Sequence, residues 1–282
     1  MIRRLLLPGL GLVAATCARP PALPPTVARV AEVDGVVFSV AAWSHDSAGL
    51  TGAVDHVFAV VKTADRARAR SLFDSLRGGV GLQRGVRPEE DRLARGYALD
   101  VALRALVGVS DSAILTYGAQ YLLQSAASTP GRTVGVPDPD NGLQSLAWVR
   151  VLPGTWSVST TQSTPDDPIL DPRNGKPALT ARSVTVVAPV ATQASGWATV
   201  WFVLGCDSAL AMAPRLDRTG VLCQDNRVRW SPDLDGRVTL SAAAERSRRV
   251  GIAPAPARGT APAAAAASSG PNRRSRTTGS RP

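Results

Sequence analysis

Apolar and polar residues alternate through residues 27–43 (VARVAEVDGVVFSVAAW), in two runs on either side of Asp34-Gly35. Period-two alternation about an Asp-Gly pair predicts a β-hairpin. From Leu50 the period lengthens: Val54, Val57, Phe58, Val61, Ala64, Ala67, Leu72 and Phe73 recur at helical spacing as far as Leu76, with an Arg-rich outer face that reads as solvated. Residues 78–87 (GGVGLQRGVR) break the pattern and read as a loop. Their glycines lack the Gly-Lys-Ser/Thr ending and the preceding strand that a phosphate loop needs. Residues 88–106 return to a helix, with Glu89, Glu90 and Asp91 where the helix dipole favours negative charge and Leu93, Tyr97, Val101 and Ala105 along one face. A mid-helix glycine costs about 1 kcal/mol against alanine, so Gly96 suggests a close approach by another group. Asp100, one turn later, either faces the same side or pairs with Arg104 on the surface.

Strand-like runs follow at 112–117, 133–136, 146–151 and 155–160, separated by Pro-Gly and Asp-Pro-Asp-Asn-Gly turns. The stretch 166–205 then holds three units in succession. Residues 169–175 (ILDPRNG) lead into an Asn-Gly turn, 183–187 (SVTVV) have the composition of a buried strand, and 191–204 are apolar enough for a buried helix closed by Gly205. Together these units bring Asp171, Ser195 and Thr199 forward as a candidate site. A short helix at 208–216 and strands at 220–223 and 227–230 complete the pattern. Strands, helices and strands again, with hairpin-like links, predict an α+β fold with a mostly antiparallel sheet.

Composition changes the picture at the two ends. The chain has 282 residues, 44% of them hydrophobic, and a formal net charge of +10. Arg246, Arg248, Arg249, Arg258, Arg273, Arg274, Arg276 and Arg281 lie in an Ala/Pro/Ser/Gly-rich C-terminal stretch, so the positive charge describes a disordered basic tail (241–282) more than a specific nucleic-acid site. At the other end, Arg3 and Arg4 precede a short apolar run and Thr16-Cys17, the pattern of an export signal over residues 1–17, with Cys17 either lipidated or removed. A Pro-rich linker (18–25) leads to the folded domain expected at 26–240. Cys206 and Cys223 read equally as a disulfide in an oxidising compartment or as two buried thiols. With His45 and His56 the only histidines, no spacing resembles a zinc site.

Five blocks carry a resemblance. Residues 94–100 (ARGYALD) are similar to A-K-G-Y-A-V-D, 113–120 (AILTYGAQ) to A-L-I-N-L-G-G-D, and 156–161 (WSVSTT) to S-V-A-T-S. Residues 169–177 (ILDPRNGKP) are similar to I-I-D-P-R-T-G-x-P, and 183–204 to S-V-T-V-x-A-P followed by A-D-A-L-A-T-A-L-F-V. In this order they resemble the FAD:protein FMN transferases, the ApbE-type flavin transferases of the bacterial envelope. The resemblance implies binding of FAD with a divalent metal, usually Mg2+, and transfer of FMN to a Thr or Ser hydroxyl of a partner flavoprotein with release of AMP. It implies a location in the periplasm or on the outer face of the cell membrane, with Cys17 as a candidate lipid anchor. Carried over residue by residue, the metal ligands fall on the Ala94 carbonyl, Ser195 and Thr199. The flavin-binding positions fall on Arg95, Gly96, Asp100, Gly118, Gln120 and Asp171.

The departures lie on the same positions. Ser195 stands where the family has the metal-binding Asp, Gln120 where it has the Asp of its Gly-Gly-Asp turn, Arg95 for its Lys and Pro168 for its His. Asp91-Arg92 replaces a glycine pair, and the segment that helps enclose the flavin is shorter. A hard cation needs oxygen ligands, and two carboxylates are gone. Two readings therefore stand: a flavin transferase with an altered site, and a non-catalytic relative that binds flavin or serves as an accessory protein of the envelope.

Overall fold

The computed structural model describes residues 26–77, 80–81, 85–164 and 167–250, all within the first of two compact units, Met1–Gly251. The export signal at 1–17, the linker at 18–25 and the tail beyond residue 250 lie outside the described residues, as does part of the 78–87 loop.

The chain opens with a hairpin of β1 (Thr26–Val33) and β2 (Val36–Trp43), turned by Asp34 and Gly35 at positive φ of 50° and 73°. Helices α1 (Ser47–Val61), α2 (Arg66–Leu76) and α3 (Glu90–Leu106) follow. The single helical run expected from Leu50 to Leu76 is two helices, because Asp65 takes an extended conformation and its carboxylate caps the N–H groups of Ala67 and Arg68. Next come β3 (Ser112–Tyr117), β4 (Gln120–Ser125), β5 (Arg132–Asp138), β6 (Asn141–Val151) and β7 (Gly154–Gln162), then a two-stranded ribbon of β8 (Leu170–Asp171) and β9 (Lys176–Pro177). The chain continues through β10 (Ser183–Ala188), α4 (Ala191–Leu204), α5 (Cys206–Met212), β11 (Gly220–Gln224), β12 (Val228–Trp230), β13 (Val238–Leu240) and α6 (Ala242–Val250). Residues 242–250 are thus helical where the sequence placed the start of a disordered tail; Ala244 is buried against the core under the small sheet, which anchors the helix.

The fold is α+β and its main sheet is antiparallel throughout, in the order β1-β2-β3-β4-β7-β10-β11-β12. Side chains alternate across it. On one face Leu115, Leu122, Val184 and Val186 meet the helices; on the other Leu123, Val158, Val187 and Leu222 meet the sheet β13-β6-β5. The result is three layers with the main sheet in the middle.

Helix α4 lies at the centre of the helical layer, against α3 on one side and β7 and β10 below. Every residue of it is buried except Leu204, which explains an apolar surface all round. Trp197 and Trp201, one turn apart, stack with centroids 5.1 Å apart, and Phe73 of α2 meets Trp197 edge-on at 5.4 Å. Gly196 lets that ring in: a Cβ there would sit 2.3 Å from Phe73. At the C-terminus Gly205 turns the chain at φ 86°, and the Thr180 hydroxyl donates to the carbonyls of Phe202 and Val203. Cys206, immediately after, is joined to Cys223 of β11 by a disulfide, which resolves the two readings of that pair.

Candidate active site

The close approach expected at Gly96 is real. A Cβ on Gly96 would lie 2.7 Å from the Ala191 carbonyl oxygen and 2.8 Å from the Ser195 Cβ, so α3 and α4 cross backbone to backbone there. Two polar arrangements flank this crossing.

The first is a cap. Val190 precedes α4 with no side-chain bond of its own. Asp100 of α3 supplies it instead, accepting from the Ala191 N–H (2.8 Å), the Thr192 N–H (2.9 Å) and the Thr192 hydroxyl. Burial pushes the Asp100 carboxyl above its ordinary value, and the Thr192 and Ala191 bonds pull it back. Arg104 does not pair with it; the guanidinium lies 6.0 Å above the Tyr97 ring. Asp100, carried over as a flavin-binding position, is committed here to α4.

The second is a polar triangle between α3, α4 and β4. The Ser195 hydroxyl donates to the Arg92 carbonyl, and Gln120 Nε2 donates both to that carbonyl (2.9 Å) and to Ser195 Oγ (3.0 Å). The amide cannot be turned over, because Oε1 would then face the carbonyl oxygen. Gln120 Oε1 is left buried without a hydrogen-bond partner.

In front of the triangle opens a cavity of about 720 Å3, walled by the start of α3, the end of α1, Tyr117, residues 167–170 and Pro172. Of the nine site positions read from the sequence, Ala94, Arg95 and Thr199 line it. Ser195 and Gln120 lie in the triangle behind the Arg92 backbone. Gly96 forms the helix crossing, and Gly118 makes the β3–β4 turn at φ 59°. Asp171 turns its carboxylate to Arg173, which binds it through Nε (2.8 Å) and Nη2 (2.6 Å) and holds it below the usual carboxylate range, while its neighbours Leu170 and Pro172 face the cavity. Thr199 Oγ1 donates to the Gly196 carbonyl (3.0 Å) and accepts from the Glu89 N–H (3.4 Å).

The cavity wall is rich in charge of both signs. Arg66 pairs with Asp91 (2.6 Å) and Glu90 with Arg70. Arg92 pairs with Glu89 (2.8 Å) and Asp167 (3.0 Å). Lys62, Arg87 and Arg95 also line the cavity, and no carboxylate lies within ion-pair distance of them among the described residues; Asp34 is the one lining carboxylate in the same state. The five lining cations are matched by five lining carboxylates, but three of the cations against one carboxylate stand outside ion pairs, where an anionic ligand can meet them. Tyr117 is closed to proton transfer: its phenol donates to the Val33 carbonyl (3.1 Å), and burial, reinforced by Asp34, pushes it above its ordinary value. Arg92, Glu89 and Asp167 were not among the carried-over positions. Their signal was Asp91-Arg92 in place of a glycine pair, where a long charged side chain must go somewhere.

The donors do not suit Mg2+. Ser195 Oγ already accepts from Gln120 Nε2 and Thr199 Oγ1 from the Glu89 N–H, the Arg92 carbonyl accepts two hydrogen bonds, and Gln120 presents N–H; Ala94, the third carried-over ligand, lines the cavity. No group of three or more His, Cys, Asp or Glu side chains is placed to hold a metal ion among the described residues. A hard cation takes oxygen ligands with free lone pairs, usually including a carboxylate.

Residues 91–223, the stretch that holds α3, the triangle and α4, match the model of the ApbE family. No curated protein matches the chain. Among solved structures it is similar to the flavin transferase ApbE from Vibrio cholerae, at 16% identity over 76% of this chain and 99% of that one, with a TM-score of 0.55. It is also similar to the flavinyl transferase ApbE of Pseudomonas stutzeri, in its apo form (15% identity, 78% and 98% coverage, TM-score 0.56), and to the ApbE protein of Thermotoga maritima (16%, 80% and 100%, 0.52). At these identities the structures establish a common fold. Residues 91–223 thus carry the ApbE family match, and the chain shares the fold of these ApbE structures.

Proposed function

We propose that the protein is a flavin transferase of the cell envelope, binding FAD in the cavity beside α3 and transferring FMN to a Thr or Ser of a partner flavoprotein. The observation that carries this reading is the coincidence of the family match with the cavity: Ala94 and Arg95 of the matched motif, Thr199 and three cations outside ion pairs all line it. In the reaction the acceptor hydroxyl oxygen attacks the phosphorus of the FMN half, the P–O–P bond breaks, AMP leaves and the hydroxyl proton passes to solvent. The chain's own part is to hold the pyrophosphate against cations and to keep the attacking oxygen in line. Arg95 and Arg87 are placed for the first task. The Cys206–Cys223 disulfide supports an oxidising, extracytoplasmic location, consistent with export through residues 1–17 and attachment through Cys17.

A second reading, FAD binding without transfer, is favoured by the triangle, where two family carboxylates have become Ser195 and Gln120. Incubating the mature protein with FAD and a Thr-containing acceptor domain separates the two. Covalent flavin fluorescence on the acceptor band of a denaturing gel is the expected result. Bound FAD with no labelled acceptor would replace this reading with the second one.

A further inference from the structure

We infer that the fixed positive charge on the cavity floor is the Arg92 guanidinium and that the protein takes no divalent cation there. This rests on the reading of the cavity as a dinucleotide site and deepens it. The same residue supplies both halves of the argument. Its carbonyl is the oxygen on which Ser195 and Gln120 converge, so its lone pairs are spent on two N–H and O–H donors. Its side chain, only 15% exposed, turns into the cavity wall, where Glu89 and Asp167 hold it from two sides. A cation arriving at the carbonyl would meet the Gln120 N–H dipole and the Ser195 hydroxyl proton. It would find no carboxylate in the triangle to compensate.

Arg92 is not exhausted by its partners. Nε lies 2.8 Å from a Glu89 carboxylate oxygen but is misaligned, and it makes no hydrogen bond. Asp167, the other partner, is 77% exposed at its side chain, with its backbone bonded to Thr164. A phosphate entering the cavity can displace Asp167 from Nη2 and take its place in a charge-assisted contact, while Glu89 stays on the buried Nε side. The contact a metal would otherwise make is then made by an arginine that cannot dissociate or lose its proton.

Two measurements on the full mature chain test this. The first is calorimetric titration of Mg2+ into the protein alone. The second is FAD binding, followed by flavin fluorescence, in EDTA and in excess Mg2+ for the wild type, Arg92→Ala and Arg92→Lys, both of which keep the backbone carbonyl. The expected results are no Mg2+ heat, equal wild-type affinity in both media, and a loss of roughly tenfold or more in Arg92→Ala that Mg2+ does not restore, with Arg92→Lys between. Stoichiometric Mg2+ binding, an FAD affinity that requires Mg2+, or rescue of Arg92→Ala by Mg2+ would overturn the inference. Wild-type protein that binds FAD in neither medium would overturn the dinucleotide reading and the role given to Arg92; the Mg2+ titration decides the cation claim by itself.

Discussion

Asp100 and Ser195 stand on opposite sides of the same helix crossing, and they have met opposite fates. At Asp100 the family-like carboxylate is present, is buried, and accepts from the two N–H groups that begin α4 and from the Thr192 hydroxyl. At Ser195 the carboxylate is gone, and a neutral hydroxyl and amide have closed on a backbone carbonyl. The first site shows that a charged residue can hold its place for the fold alone. The second shows that, where no charge stands, neighbouring donors converge on a backbone carbonyl, and the Gln120 Oε1 left unmet costs about 1–3 kcal/mol.

The comparison can be broken most forcefully at Asp100. Asp100→Ala strips three hydrogen bonds from a buried helix start and is expected to lower stability by about 3 kcal/mol, measured by urea unfolding. Asp100→Asn should be nearly as costly, because its NH2 would face a donor at Thr192. A loss near zero would mean that Asp100 is spare for a ligand after all.

Gly96→Ala comes next. Alanine is the better helix former by about 1 kcal/mol, yet its Cβ meets the Ala191 carbonyl and Ser195. A net loss of about 2 kcal/mol is expected from overpacking, again by urea unfolding. A stabilised variant would show that the crossing has slack and that the triangle is not fixed by it.

Within the triangle the effects are smaller. Ser195→Ala removes one hydroxyl from a neutral network and should cost about 1 kcal/mol; the same denaturation series checks it. A cost as large as that of Asp100→Ala would mean that Ser195 supports more than the Arg92 carbonyl.

The smallest effect is at Asp171. Its folded carboxyl is held below the ordinary value by Arg173, so its contribution is present above the unfolded value of 3.8 and is lost as pH falls through the lower folded value. The amide signals of residues 171–175 should therefore keep their folded shifts as the pH drops to the ordinary carboxylate range and change only below it. A transition centred at or above 3.8 would detach Asp171 from Arg173.

Much of the fold was legible because its signals are local. The Asp34-Gly35 hairpin, the span of α4 and its Gly205 end can be read from turn chemistry and apolar runs. Strand β4 was harder: QYLLQS puts Leu122 and Leu123 on opposite faces and both are buried, so the alternation that marks a half-exposed strand is absent. The division of α1 from α2 turned on one capping aspartate inside a continuous helical pattern. The site was legible as a set of positions but not as a set of roles. Asp100 and Ser195 each match a motif position, and only the neighbours brought in from a distant helix or strand decide what either does. Arg92 carried no motif signal beyond the glycine it replaced.

The most direct test of the closed triangle is Mn2+ titration followed by electron paramagnetic resonance, on the wild type beside the double variant Ser195→Asp/Gln120→Asp. The wild type is predicted to leave the free-ion spectrum undiminished, while the variant, with two carboxylates returned to the Arg92 carbonyl, removes it stoichiometrically. A wild type that binds Mn2+ as tightly as the variant would contradict the account.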